Sequence, residues 1–411
     1  MKQIRDKVAG LDVHRDSVVA AARIVGPDKV VEVTKASFTT TSKGLELAQW
    51  LLASGAHTVA IEATGVYWKP VYDALEGLVD ELWLCNAAHV KHVPGQKSDL
   101  AAAEWLADVA AHGMVRPSFV PPPEIRELRD LTRYRKAQVD GRAKEIQRLE
   151  KTLQDAGIKL TSVASTVWTQ SSRAMLEAMI AGERDPKVLA EMARSRLRAK
   201  IPQLEEAFSG RFNDHHAFMC KEIIGHIDHL DASIALVSTE IARHVAPFEG
   251  AITLLCSIPG VSRTMAEVLI AEMGPDMSRF PIPEQLCAWA GVAPASHRSA
   301  GKHRPAGTRP GAPWLRRTLL PAARAAARTK NSYFSAQYPR IARRRGPNTA
   351  AVAVANSLVR VVWHVLSTGA FYEDLGADYF ERRDDPARQA ARLQQRLEAL
   401  GYSVTISEKA A

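Results

Sequence analysis

The chain has 411 residues, 46% hydrophobic and 24% charged, which suits two or three domains with ordinary cores. Its formal charge of +9 and pI near 9.4 favour polyanionic partners, nucleic acid first, and leave open a merely basic enzyme. The cysteines Cys85, Cys220, Cys256 and Cys287 form no CxxC pair, which argues against a zinc ribbon or a disulfide scaffold and for reduced cytosolic thiols. "MKQIRDKVAG" has no apolar signal region, and no charge-free apolar run is long enough to span a bilayer. The longest candidate, "AAVAVANSLVRVVWHVL", carries Asn356, Ser357 and Arg360 and reads as a buried helix. A cytoplasmic location with no membrane partner is expected.

Residues 7 to 37 contain three β-rich runs, "KVAGLDVH", "SVVAAARIV" and "KVVEVTKASF", separated by short polar turns. A helical pattern follows in "TSKGLELAQWLLASGA", with Thr41 or Ser42 as N-cap. Strand "HTVAIEAT", helix "WKPVYDALEGL", strand "ELWLCNAAHV" and helix "SDLAAAEWLADVAAHG" complete the order β-β-β-α-β-α-β-α. A meander followed by βαβ crossovers predicts a mixed sheet with helices on its faces, in the ribonuclease-H-like layout. The Pro-rich "VRPSFVPPPEIREL" marks a boundary near residue 120. Long helices are predicted over 123–155 and about 213–246, pairing as an antiparallel hairpin or as a coiled coil between chains. The stretch between them is helical in pattern but has no evident placement. A compact, mostly helical unit is expected over 249–380, and the tail reads as a helix and a short strand. The predicted domains are 1–120, 121–248, 249–384 and a tail 385–411.

Two constellations carry chemistry. Asp12 lies inside the apolar strand "VAGLDVH", Glu62 ends "TVAIEATG", and Asp99 opens a helix. In the ribonuclease-H-like layout the first and fourth strands are neighbours, so Asp12 and Glu62 would face each other with Asp99 approaching. Clustered carboxylates repel unless a divalent cation neutralises them, and hard oxygen ligands suit Mg²⁺ or Mn²⁺. Each acid alone also reads as a turn, strand-end or N-cap residue. The second constellation is "GVAPASHRSAGKHRPAGTRPGAPWLRRTLL". There Ser299 lies in a Gly- and Pro-broken loop with Arg298, Lys302, His303, Arg304 and Arg309, and Arg316 and Arg317 begin the next helix. So basic a loop suits phosphate contact. Its serine is either a phosphate contact or a nucleophile, the latter only if something activates the hydroxyl.

Weaker signals surround these. "LCSIPGVSRTMAEVLIAEMG", turning at Gly260, reads either as a helix-hairpin-helix whose backbone holds a phosphate or as a plain helical hairpin. Arg343, Arg344 and Arg345 add a basic cluster. His216 and Cys220 at i+4 have zinc-like spacing but no second pair. Tyr67 and Trp68 suit base stacking or ordinary packing.

Together, "GLDVHRDSVVAA", "VAIEATGVYW", "PGQKSDLAAAEWLAD", "CSIPGVSRTMAEVLIAEMG" and "SAGKHRPAGTRPGAPWLRRTL" resemble the DEDD transposases of the one-ten insertion-sequence family, relatives of the Piv-type invertases. The resemblance runs over about residues 8 to 382. It implies a RuvC-like domain with four acids, a coiled-coil connector and a C-terminal transposase domain with a nucleophilic serine. The acids would be Asp12, Glu62 and Asp99, with the fourth position at Ala102, and the serine Ser299. The resemblance further implies donor and target DNA, a structured bridge RNA, and dimers that assemble into a tetrameric synapse. Ala102 departs from the pattern and is expected to weaken Mg²⁺ binding and cleavage. Glu104 and Asp108, at i+5 and i+9, point roughly 140° and 180° away from Asp99 on an ideal helix and are poor substitutes. The alternatives are a RuvC-like nuclease or resolvase using activated water, and a nucleic-acid-binding scaffold without catalysis.

Overall fold

A computed structural model describes residues 3–40, 44–63, 65–87, 90, 102–299, 302–304, 307–383 and 386–405. The chain divides into two compact units, Met1–Val120 and Pro121–Ala411.

The first unit is a five-stranded mixed sheet. Strands β1 (Lys7–Val13), β2 (Ser17–Val25) and β3 (Val31–Thr39) form the antiparallel meander, and β4 (Thr58–Glu62) and β5 (Glu81–Cys85) follow in parallel with β1. The spatial order is β3-β2-β1-β4-β5. This is the arrangement that the alternating β-rich runs and crossover helices predict. Odd-numbered residues of β1 and β4 (Ala9, Leu11, Val13, Val59, Ile61) pack on helices α1 (Gly44–Ser54) and α2 (Trp68–Leu75) through Leu47, Leu51, Val71 and Leu75. Even-numbered Val8 and Ala60, with Cys85, pack on α3 (Ala102–Ala111) through Leu106, Ala107 and Ala110. Thr41 and Ser42, the expected N-caps of α1, lie outside the described residues.

Helix α3 runs antiparallel to β1. Its C-terminal end meets the start of β1, where the Ile4 and Arg5 N–H groups donate to the Ala111 carbonyl. Further along, Gly10 sits against the Ala103 and Ala107 backbone, where an added Cβ would lie 2.1 Å from the Ala103 oxygen. Glycine is therefore the residue that lets the helix lie on the sheet.

The second unit is built on two long helices, α4 (Pro123–Asp155) and α8 (Asp214–Val245). They pack antiparallel within the one chain, with His244 near Glu127 (3.8 Å), Arg142 paired to Asp231, His226 near Glu145 (3.7 Å) and His216 near Asp155 (3.4 Å). This is the hairpin, one of the two pairings left open by the sequence. The unplaced stretch folds as short helices α5 (Gln170–Ile180), α6 (Pro186–Glu191) and α7 (Ile201–Ala207), whose Met175, Met179, Leu189 and Leu204 share a core with Leu149, Leu153 and Ile223 of the long helices.

After α8 come α9 (Glu249–Cys256), α10 (Arg263–Met273), α11 (Pro283–Trp289), the hairpin β6 (His297–Ser299) and β7 (Lys302–Arg304), then α12 (Pro313–Ala326), α13 (Tyr333–Arg345) and α14 (Pro347–Thr368). Helix α14 has the length and composition of a membrane span. In the fold its Ala350, Val354, Leu358 and Val362 are buried, and Trp363 donates to the Phe280 carbonyl. It is a core helix, as its polar residues suggest. Two short helices, α15 (Tyr379–Arg383) and α16 (Pro386–Glu398), end the described chain. The short strand expected in the tail is absent among the described residues up to 405. A strand needs an edge to pair with, and here the segment folds back on α16, whose Gln394 donates to the Val404 carbonyl.

Candidate active site: an acidic sheet edge and a serine hairpin

The acidic edge follows from the register. Leu11 is paired with Ile61, so one step on Asp12 stands beside Glu62 on neighbouring parallel strands, about 4.8 Å apart in backbone. In-register residues of parallel strands share a face, so both carboxylates belong to the α3 face. Glu62 is in turn beside Cys85 of β5. Burial, with the Glu62 carboxylate adding to it, pushes the Cys85 thiol up to about 12.

The two acids differ in setting. Asp12 is partly exposed, with His14 Nε2 3.5 Å from its carboxylate. Glu62 is 7% exposed and, among the described residues, meets neither a cation nor a hydrogen-bond donor. A buried carboxylate without a partner is costly, and a cation is the usual remedy. Asp99 lies outside the described residues. Ala102 is the first residue of α3, buried, at the end of the helix that lies toward Asp12. Glu104 and Asp108 are committed elsewhere: Glu104 pairs with Lys35 of β3, and Asp108 with Arg23 of β2 at 3.2 Å. Both lean to the β2–β3 side, away from β4. Among the described residues no group of three His, Cys, Asp or Glu side chains forms a metal-binding cluster. Asp12 and Glu62 offer hard oxygen donors of the type Mg²⁺ takes.

The serine region is more regular than its glycines and prolines suggest. It is a β-hairpin, with Ser299 in register with Lys302, Arg298 with His303, and His297 with Arg304. Pairing extends below the strands through a Pro294–Thr308 bridge and the Ala295 N–H to the Gly307 carbonyl. At the foot, Gly291 and Gly311 backbones touch, with a Cβ on Gly311 only 2.3 Å from the Gly291 nitrogen. The broken loop is therefore a two-stranded ribbon. Gly291 and Gly311 serve the close crossing at its base.

The Arg316 guanidinium donates to Thr308 Oγ1 at 2.6 Å and ties α12 to the ribbon's foot. Beside them opens a cleft of about 560 Å³, lined by Thr308, Arg316, Gln337, Asn348, Asn356 and Ser357 among others. Asn356 donates to the Val292 carbonyl and accepts from Arg360, and Gln337 donates to Ser357. Sequence reasoning missed this cleft because its walls come from segments far apart in the chain.

The remaining basic residues are spread over this unit. Arg309 is exposed. Arg343, Arg344 and Arg345 end α13, exposed and without an ion pair among the described residues. Gly260 has φ +83, and a Cβ there would lie 2.5 Å from the Ala322 oxygen of α12. Close packing of the turn on α12 accounts for this glycine under either of the two readings the sequence left open. His216 forms a capping box with Asn213, and Cys220 is buried in the core of the helix pair. Trp68 packs edge-on against Tyr72, 5.7 Å between centroids.

Comparison with known proteins places the chain among transposases. The profile of a DEDD transposase of the IS110 group matches residues 9–158, and that of the transposase IS116/IS110/IS902 family matches residues 252–339. A probable family 20 transposase of Pseudomonas aeruginosa is 26% identical over 321 residues, covering 76% of this chain and 85% of that protein. The transposase for insertion sequence element IS1111A of Coxiella burnetii is 24% identical over 379 residues, covering 90% of this chain and 92% of that protein. The transposase for insertion sequence element IS1328 of Yersinia enterocolitica is 24% identical over 342 residues, covering 80% and 89%. With two transposase profiles matched in order, and relatives aligned along most of its length, the chain belongs to the IS110 family of DEDD transposases and is a DNA transposase.

Proposed function

We propose that this transposase is an RNA-guided serine recombinase. The reading is supported above all by the Asp12–Glu62 juxtaposition: two acids on adjacent parallel strands, one of them buried and with no partner among the described residues. Asp12, Glu62 and Asp99 would hold Mg²⁺ or Mn²⁺. The cation, when bound, would neutralise charge on the scissile phosphate and lower the pKa of an oxygen it touches. Ser299 is the proposed nucleophile. Its hydroxyl oxygen attacks the DNA phosphorus as its proton leaves, and the displaced sugar oxygen takes up a proton. One ester bond forms as another breaks, so the bond energy is kept for rejoining without ATP. Arg298, Lys302, Arg304, Arg309, Arg316 and the Arg343–Arg345 cluster would hold DNA phosphates, and Gly260 would add a backbone contact.

The acids belong to the first unit and the serine to the second. A bridge RNA pairing with donor and target DNA, a coiled-coil connector, and dimers forming a tetrameric synapse rest on the family resemblance alone. In such a system RNA pairing reads sequence while the protein reads backbone shape. Ala102 at the fourth acidic position makes this chain catalytically impaired.

The test is a denaturing gel for a covalent protein–DNA adduct. The Ala102→Asp protein is incubated with its element's RNA, both DNA sites and Mg²⁺, beside the same protein carrying Ser299→Ala. An adduct that vanishes with the serine is the expected result. Cleaved DNA without adduct would overturn serine attack in favour of a RuvC-like nuclease using water. No cleavage after the acid is restored would point to a binding scaffold.

A further inference from the structure

The helical cap between α4 and α8, about residues 156–213, lies outside both family-matched segments from residue 159 on. It contains a cleft of about 480 Å³ lined by Ser165, Thr169, Ser171, Arg194, Arg196 and Lys200, together with small and aliphatic residues. Of the nine Lys and Arg residues of this cap, three are ion-paired among the described residues. Arg173 is bidentate to Asp228, Arg184 lies 3.8 Å from Asp214, and Arg198 lies 3.3 Å from Glu191. Arg194 and Arg196 are exposed and have no ion pair among the described residues. Between them Ser195 takes φ +53, a backbone conformation that L-residues seldom adopt. The turn is held by the Arg194 N–H donating to Ser171 Oγ at 3.0 Å and by Lys200 Nζ donating to the Val163 carbonyl at 2.9 Å.

We propose that this cleft holds a phosphodiester of bound nucleic acid. Two uncompensated guanidinium groups beside a hydroxyl-lined concavity match non-bridging phosphate oxygens in charge and in donors. The lining has no Asn, Gln or aromatic side chain, the groups that read base edges or stack on bases. The contact is therefore to backbone and independent of sequence.

The test is fluorescence anisotropy with the full chain, on labelled duplex DNA and on a labelled RNA hairpin, across about 50 to 200 mM salt. Arg194→Ala/Arg196→Ala is compared with Lys187→Ala/Arg211→Ala, which removes the same charge from the cap outside the cleft. A third variant, Ser165→Glu, places a carboxylate at the cleft. For the Arg194/Arg196 pair, the slope of log K against log salt is expected to be shallower by about 1.8 on at least one nucleic acid. The control pair is expected to change it less, and Ser165→Glu to weaken the same binding. Thermal melting of the arginine variant is expected to match the native chain, since neither side chain is ion-paired. Loss on only one nucleic acid identifies the source of the phosphodiester. Unchanged slopes on both, or equal losses in the control pair, would overturn the proposal.

Discussion

Replacing Glu62 by Gln tests the acidic edge without any activity assay. The native carboxylate is 7% exposed and has no described partner, so without metal it is a burden on the fold. An unpartnered buried polar group costs about 1–3 kcal/mol, with a charge at the upper end. The amide keeps the shape and removes the charge. In chelator, Glu62→Gln is therefore expected to be more stable than the native chain by about 1–3 kcal/mol. At roughly 4 °C per kcal/mol for a unit near this size, the melting point of the N-terminal unit rises by several degrees. Saturating Mg²⁺ should reverse the order. A ligand at 100 times its Kd adds about 2.7 kcal/mol to the native fold, and the Gln variant gains little. The assay is differential scanning fluorimetry in EDTA and along an Mg²⁺ titration. A Gln variant that melts below the native chain in EDTA refutes the unpartnered carboxylate. A native chain that ignores saturating Mg²⁺ refutes the metal.

Other substitutions probe the frame around the site. Ala102→Asp should melt lower in EDTA than the native chain, by about 1–2 kcal/mol from burying another carboxylate, and show the larger Mg²⁺ response in the same titration. Gly10→Ala drives a Cβ into the Ala103 carbonyl, and urea unfolding should show at least the 1–3 kcal/mol of an overpacked core. Arg133→Ala strands Glu272, which is 1% exposed and held by two 2.8 Å hydrogen bonds from Arg133, with Arg129 3.6 Å away. A loss of about 3 kcal/mol in unfolding free energy, read from urea denaturation, is expected. Burial raises Cys85 to about 12 and Cys220 and Cys287 to about 11 in the folded chain, from 9.0. The raised pKa favours the folded state fully below pH 9. Stability should then fall as pH climbs from 9 toward 11–12, because the unfolded thiols ionise first. Urea midpoints that stay level to pH 11 would contradict this.

Much of the N-terminal unit was legible in the sequence because its strands alternate and its turns are short. The neighbourhood of Asp12 and Glu62 followed from topology, since a meander plus a right-handed crossover places the fourth strand beside the first. Helix α4 was legible over its full length, from Pro123 to Asp155, because its apolar stripe is long and its ends are marked. The serine ribbon was not legible. Three-residue strands exist only through pairing, and glycines needed for the Gly291–Gly311 crossing look like loop breakers. The cap was not legible either, because Met175, Leu189 and Leu204 sit on short helices that cohere only against the long ones. The third acid, Asp99, falls outside the described residues.

The antiparallel helix pair also sets a distance. Helix α4 has 33 residues, which at 1.5 Å each makes a strut about 50 Å long. One end, by Glu127 and His244, adjoins the helices that lead to the serine ribbon; the other, by Asp155 and His216, carries the basic cap. At 3.4 Å per base pair that interval is about fifteen base pairs. A protein gripping DNA at both ends of such a strut acts as a ruler. Its footprint would then span about one and a half turns of duplex between the two ends, and removing whole helical turns from both helices would shorten that span in steps.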